Sequence, residues 1–223
     1  MAAGELNGWW RVGLPIVAPL VRLVFRIRRA GLEHVPLAGP AVLVFNHVSP
    51  LDGPILAIET GRRIRRETRF LVAAEFFRKV FFGWILRRFD QIPIRRGEGD
   101  SDALEHALTA VKDGLLLAIS PEGTVNPDPP ELLRIRSGIA RIALPTGAPV
   151  VPVGIWGTQA RWPKAGLRWG RPLRPRLALA FGSPLLPMGD PADEADVDAF
   201  IERVHERLDA QVAEARRLTG EPV

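Results

Sequence analysis

The sequence predicts an α/β protein: a central mixed, largely parallel sheet flanked by helices, with an N-terminal helix suited to an interface. Three observations lead there. Short aliphatic runs of strand length alternate with longer stretches of helical spacing. Gly, Pro and Asx residues punctuate most changes from one to the other. The first thirty residues interleave Trp and Arg with apolar side chains and hold no unbroken apolar run.

The elements follow in order. "WWRVGLPIVAPLVRLVFRIRR" is interrupted by Arg11, Pro15, Pro19 and Arg22, whereas a membrane span needs about 20 apolar residues in a row. No small-residue cleavage site follows it, so it does not read as a signal peptide. Trp9 and Trp10, with Arg22, Arg26, Arg28 and Arg29, suit the headgroup region of an anionic membrane. Residues 1–30 are therefore expected to be a membrane-associating segment, peripheral or monotopic on a cytoplasmic face, and residues 31–223 a single domain. "GLEHVP" reads as a short strand and Ala41 to Phe45 as a buried one. "SPLDGPILAIETG" opens a helix, with Ser49 as N-cap, Pro50 at the first helical position and Asp52 three residues after the cap. "TRFLVAA" is a strand, "EFFRKVFFGWILRRF" an amphipathic helix, and "QIPI" a short extended piece. "SDALEHALTAVKDG" is a helix stopped at Gly114. The buried strand "LLLAI" runs into "SPEGT". "SGIARIALPTG" is a helix, "APVVPVGIWG" and "RLALAFG" are strands, and Asp193 to Leu218 is a charged amphipathic helix.

Composition narrows the function classes. Apolar residues make up 47% and charged residues 25% of 223, as in ordinary globular proteins. The absence of cysteine excludes disulfides and thiolate metal sites. A net charge of +5 and a pI near 10.8 suit an anionic partner.

The chemistry concentrates in "NHVSPLD". Neutral imidazole is a natural base near neutral pH, and a carboxylate on its second nitrogen orients it and stabilises the imidazolium. Five residues on one helix place two side chains about 140° apart. A strand-to-helix turn removes that obstacle, and Pro50 disfavours a helix through His47. The same turn allows a plainer role, in which Asp52 only completes a helix cap.

Four blocks in order decide between these. "NHVSPLD", "QIPIRRG", "SPEGT" and "APVVPVGI" together resemble the glycerolipid acyltransferase family, whose best-known members are 1-acylglycerol-3-phosphate acyltransferases. The resemblance runs from about Gly31 to Pro184 and makes residues 31–223 an acyltransferase domain. It implies that His47 takes a proton from an acceptor hydroxyl while Asp52 orients the ring. The freed oxygen then attacks an acyl thioester on coenzyme A or acyl carrier protein. No cofactor, metal or serine acyl-enzyme is implied. Thioester attack passes through an oxyanion that needs hydrogen-bond donors, and main-chain N–H groups near the turn could serve, though the sequence does not identify them. Arg96, Glu122, Gly123, Thr124 and Arg136 are the expected substrate-binding residues, and the acceptor is a lysophospholipid such as 1-acylglycerol-3-phosphate.

Two departures bear on that acceptor. Val125 follows Thr124 where the family commonly has arginine, and Ala73 stands where it carries lysine. Both family cations help to hold a phosphate. Arg95, Arg96, Arg134 and Arg136 are the available replacements, since guanidinium forks suit phosphate. The losses favour a second version, acylation of a non-phosphate hydroxyl on a lipid headgroup, sugar or specialised metabolite. A non-catalytic lipid- or acyl-carrier-binding protein is the rival from another class. The Trp- and Arg-rich stretch "GTQARWPKAGLRWGR" fits lipid, nucleic acid or internal packing. A nucleic-acid module would leave "NHVSPLD" unexplained, so no nucleic-acid partner is expected.

Overall fold

The computed structural model describes residues 5–95 and 100–221. Arg96 lies outside them. The helices are α1 (Gly8–Val24), α2 (Asp52–Arg63), α3 (Ala74–Phe77), α4 (Val80–Arg88), α5 (Ser101–Lys112), α6 (Gly138–Thr146) and α7 (Glu194–Thr219). The strands are β1 (Arg26–Ala30), β2 (Ala41–Phe45), β3 (Thr68–Ala73), β4 (Ile92–Ile94), β5 (Leu116–Ile119), β6 (Val150–Trp156) and β7 (Arg176–Phe181). They form one sheet in the order β1-β7-β6-β2-β5-β3-β4. Every pairing is parallel except β6 with β7.

The expected α/β sheet is therefore present, and its central strands are apolar throughout because helices cover both faces. In β2, Leu43 and Phe45 point into a core shared with α1 and α2 through Trp10, Leu14, Ile55 and Leu56. Val42 and Val44 point the other way, among Ala107 of α5, Ile139 of α6 and Phe200, Val204 and Leu208 of α7.

Two local expectations differ. "GLEHVP" holds a 3-10 turn, Leu32–His34, not a strand. The strand lies just upstream at Arg26–Ala30, so residues grouped by sequence with the N-terminal segment are an edge of the sheet, paired with β7. Arg29 there is ion-paired with Glu59, which α2 buries to 1% exposure, and the pair fixes β1 against that helix. The second difference is in "EFFRKVFFGWILRRF", where the chain turns between α3 and α4. Gly83 permits the turn: a Cβ there would fall 2.2 Å from the Phe77 carbonyl oxygen.

Helix α1 is capped by Asn7, whose Oδ1 accepts from the N–H groups of Trp9 at 2.9 Å and Trp10 at 3.2 Å. It buries Trp10, Leu14 and Ala18 and exposes Val12, Ile16, Leu20 and Leu23. Its N-terminal end meets α4 through an edge-to-face pair of Trp9 and Trp84 at 5.1 Å. Helix α4 exposes Val80, Phe81 and Phe82. Among the described residues no helix is long and apolar enough to cross a membrane.

Candidate active site

The site grows from the C-terminal end of β2. Asn46, 1% exposed, continues the pairing of β2 with β6 by side chain. Its Nδ2 donates to the Ile155 carbonyl at 3.0 Å, and its Oδ1 accepts from the Ile155 N–H at 2.7 Å. The next residue, His47, is thereby held at the C-terminal end of a central strand with its ring partly exposed. The chain then turns into α2, which begins at Asp52.

That turn brings His47 and Asp52 together. His47 Nδ1 lies 3.0 Å from Asp52 Oδ2. A carboxylate accepts, so Nδ1 carries the proton and Nε2 is left with its lone pair free. The same Oδ2 accepts from the N–H groups of Val48 and Ser49, each at 2.7 Å. Oδ1 accepts from the Thr158 hydroxyl at 2.6 Å. Asp52 therefore orients the imidazole and caps the turn at once. The Ser49 contact is the capping-box bond expected from sequence, although Leu51 occupies the N-cap position. Ser49 Oγ accepts from the Leu51 N–H at 3.1 Å. These bonds commit the N–H groups of Val48, Ser49 and Leu51, and Glu122 takes that of His47. Those four N–H groups therefore already have acceptors.

Glu122 is 2% exposed and faces main chain on both sides. Oε1 accepts from the His47 N–H at 2.7 Å and Oε2 from the Leu133 N–H at 3.1 Å. Burial pushes its carboxyl above the ordinary range, partly offset by these two bonds. The expected substrate-binding residue thus ties the loop after β5 to the residue carrying the imidazole. A further bond, from the Asn126 N–H to the His47 carbonyl at 2.6 Å, fixes His47 from its other side.

Beyond Glu122 opens a cleft of about 930 Å³. One wall carries Thr124, Arg134 and Arg136; the other is a face of α7 presenting Asp198, Glu202 and His205. Arg136 lies over Gly123, so close that a Cβ on the glycine would fall 3.0 Å from its Nε. Arg95 is ion-paired with Asp100 and Asp102, each at 3.5 Å. Ala73 is buried at the end of β3. Among the described residues no cluster of three or more His, Asp or Glu side chains is arranged to hold a metal ion.

Sequence reasoning missed Asn46 and Thr158. Thr158 stands 106 residues from Asp52, and the only local signal was its place just after "APVVPVGIWG".

A chloroplastic 1-acyl-sn-glycerol-3-phosphate acyltransferase of Brassica napus is 33% identical over 57% of this chain and 36% of its own length. An N-acylphosphatidylethanolamine synthase of Arabidopsis thaliana is 32% identical over 67% of this chain and 57% of its own length. This chain thus spans little more than half, or less, of those relatives. The crystal structure of the 1-acyl-sn-glycerophosphate acyltransferase PlsC from Thermotoga maritima matches with a TM-score of 0.69 at 25% identity, over 91% of this chain and 80% of that one. The model of the acyltransferase family matches residues 26–156, more than half of the sequence and every strand from β1 to β6, so this chain belongs to that family.

Proposed function

We propose that the protein is a membrane-surface O-acyltransferase, moving a fatty acyl group from coenzyme A or acyl carrier protein to a lipid hydroxyl. The acceptor in this reading is a lysophospholipid such as 1-acylglycerol-3-phosphate. The observation that carries it is the 3.0 Å contact between His47 Nδ1 and Asp52 Oδ2, which leaves Nε2 to take the hydroxyl proton. As the proton transfers, the oxygen attacks the thioester carbonyl and the thiolate departs. Asp52 stabilises the imidazolium, which returns the proton to the leaving sulfur. Arg134 and Arg136, with Arg96, are the groups for an acceptor phosphate. The exposed apolar faces of α1 and α4 support contact with a bilayer.

A second reading, a non-phosphate hydroxyl acceptor, is favoured by one added observation. The cleft wall opposite the arginines carries Asp198 and Glu202, which repel a phosphomonoester. Val125 and Ala73 agree with that reading.

Steady-state transfer of a labelled long-chain acyl group to lysophosphatidate, beside an uncharged monoacylglycerol, tests both. General-base catalysis contributes about 10²- to 10⁴-fold, so His47→Ala is expected to lose at least that much with an unchanged circular dichroism spectrum. Wild-type-like turnover by this variant would remove the mechanism. A wild-type preference for monoacylglycerol would select the second reading.

A further inference from the structure

We propose that residues 161–174, in the loop joining β6 to β7, are a third lipid-contacting element that docks on an anionic bilayer beside α1 and connects that surface to Asp52 through Thr158. The inference rests on the membrane-surface reading of α1 and α4.

The loop is long, spanning 157–175 with a single 3-10 turn at Thr158–Ala160, and loops of that length in compact domains are commonly functional. It exposes apolar side chains: Trp162 at 36%, Leu167 at 55%, Trp169 at 73% and Leu173 at 78%. Lys164, Arg168, Arg171 and Arg174 are exposed among them. The sequence has no Asp or Glu anywhere from residue 132 to residue 189. Trp and Leu interleaved with unopposed cations match an anionic headgroup layer over an acyl boundary.

The inside of the loop points the same way. Arg161 is 4% exposed. Its Nη2 donates to the Pro172 carbonyl at 2.6 Å, and its guanidinium lies 5.7 Å from the Trp169 ring centroid. Among the described residues its Nε has no hydrogen-bond partner and no carboxylate pairs with it. A buried cation without a counter-ion is costly, and a lipid phosphate beside Trp169 would supply one.

Position completes the case. Arg174 Nη2 donates to the Arg22 carbonyl at 2.6 Å, in the last turn of α1. The loop thus meets one end of α1 while α4 meets the other through Trp9 and Trp84. Burial and the neighbouring Arg62, Arg29 and Arg63 hold Arg22 below its ordinary pKa, against an opposing pull from Glu59. The junction is therefore dense in positive charge. At the stem of the same loop, Thr158 holds Asp52.

The test is co-sedimentation with vesicles of phosphatidylcholine, with and without phosphatidylserine, alongside acyl transfer to a vesicle-borne and a water-soluble short-chain acceptor. Arg168→Gln with Arg171→Gln is expected to weaken binding to the phosphatidylserine vesicles about fivefold per charge. Trp169→Ser with Leu173→Ser is expected to weaken binding to both kinds. Both variants should lose rate on the vesicle-borne acceptor and keep it on the soluble one. Unchanged vesicle affinity in both, while Val80→Ser with Phe81→Ser loses it, overturns the loop and leaves the α1–α4 reading standing. Wild type failing to bind any vesicle overturns both. Loop variants that lose affinity for a single-stranded oligonucleotide, but none for vesicles, would make the loop a nucleic-acid element.

Discussion

Oδ2 of Asp52 receives three donors at once, the His47 ring and the N–H groups of Val48 and Ser49, so an asparagine there has one workable orientation. Its amide oxygen takes the Oδ2 position, and its NH2 turns to the Thr158 hydroxyl. The general expectation for asparagine in such a His–Asp pair is the wrong tautomer and a severe loss of catalysis. The structure predicts a milder loss, because the tautomer survives and only the charge facing the imidazolium is gone. Asp52→Asn should lower kcat about five- to thirtyfold, the difference between a charged and a neutral hydrogen bond, with little change in Tm. Asp52→Ala should lose activity further and stability as well, which kinetics and thermal melts on the two variants will separate. Glu122 makes a prediction about pH. Its folded pKa is raised, chiefly by burial, so its contribution favours folding below the ordinary carboxylate pKa and fades as pH rises through the raised value. The unfolding free energy of wild type minus that of Glu122→Gln should therefore fall across that window, measured by urea titration at a series of pH values. Of this site the His47–Asp52 pair was legible, because both residues lie on one turn. The groups that hold the pair were not. Glu122 lies 75 residues from His47, and Thr158 lies 106 from Asp52; only the sheet order brings them near.

Helix α1 illustrates why elements are easier to read than their partners. Its apolar positions surround the whole helix; some pack inward and others are exposed. Trp10 is 4% exposed and stacks edge-to-face on Phe89, with ring centroids 4.9 Å apart. Val80 on α4 is 89% exposed and Phe81 67%. Trp10→Ala should cost about 3–5 kcal/mol of stability. Val80→Ser with Phe81→Ser should leave Tm within a degree or two and reduce vesicle binding, since those side chains have little burial to lose. Equal Tm losses in the two would mean that α4 is packed rather than presented. The strands β2, β3, β5, β6 and β7 were readable from short apolar runs of strand length. Strand β1 was not, because "RIRRA" carries three arginines and becomes a strand only through its pairing with β7 and the Arg29–Glu59 ion pair.

Across the whole molecule, the sheet is clamped between α1 and α2 on one face and α5, α6 and α7 on the other. One tight point is where α7 crosses β6. A Cβ on Gly154 would lie 2.0 Å from the Gln211 carbonyl oxygen, main chain against main chain. Gly154→Ala must separate the helix from the sheet, and overpacking of this kind costs about 1–3 kcal/mol. A melt of the variant checks it, and an unchanged Tm would mean that α7 is free to shift. This crossing was beyond the sequence, which showed a glycine in a strand but not the helix against it. The Thr158–Asp52 bond also has a consequence in time. On the ribosome, His47 and Asp52 emerge together, yet the hydroxyl that steadies Asp52 follows 106 residues later, about 5–20 s at common elongation rates. Strand β6, which fixes Asn46, arrives only just before it. The nascent chain therefore carries Asp52 without that hydroxyl for the whole of this interval, and a polypeptide released before Thr158 would lack the bond.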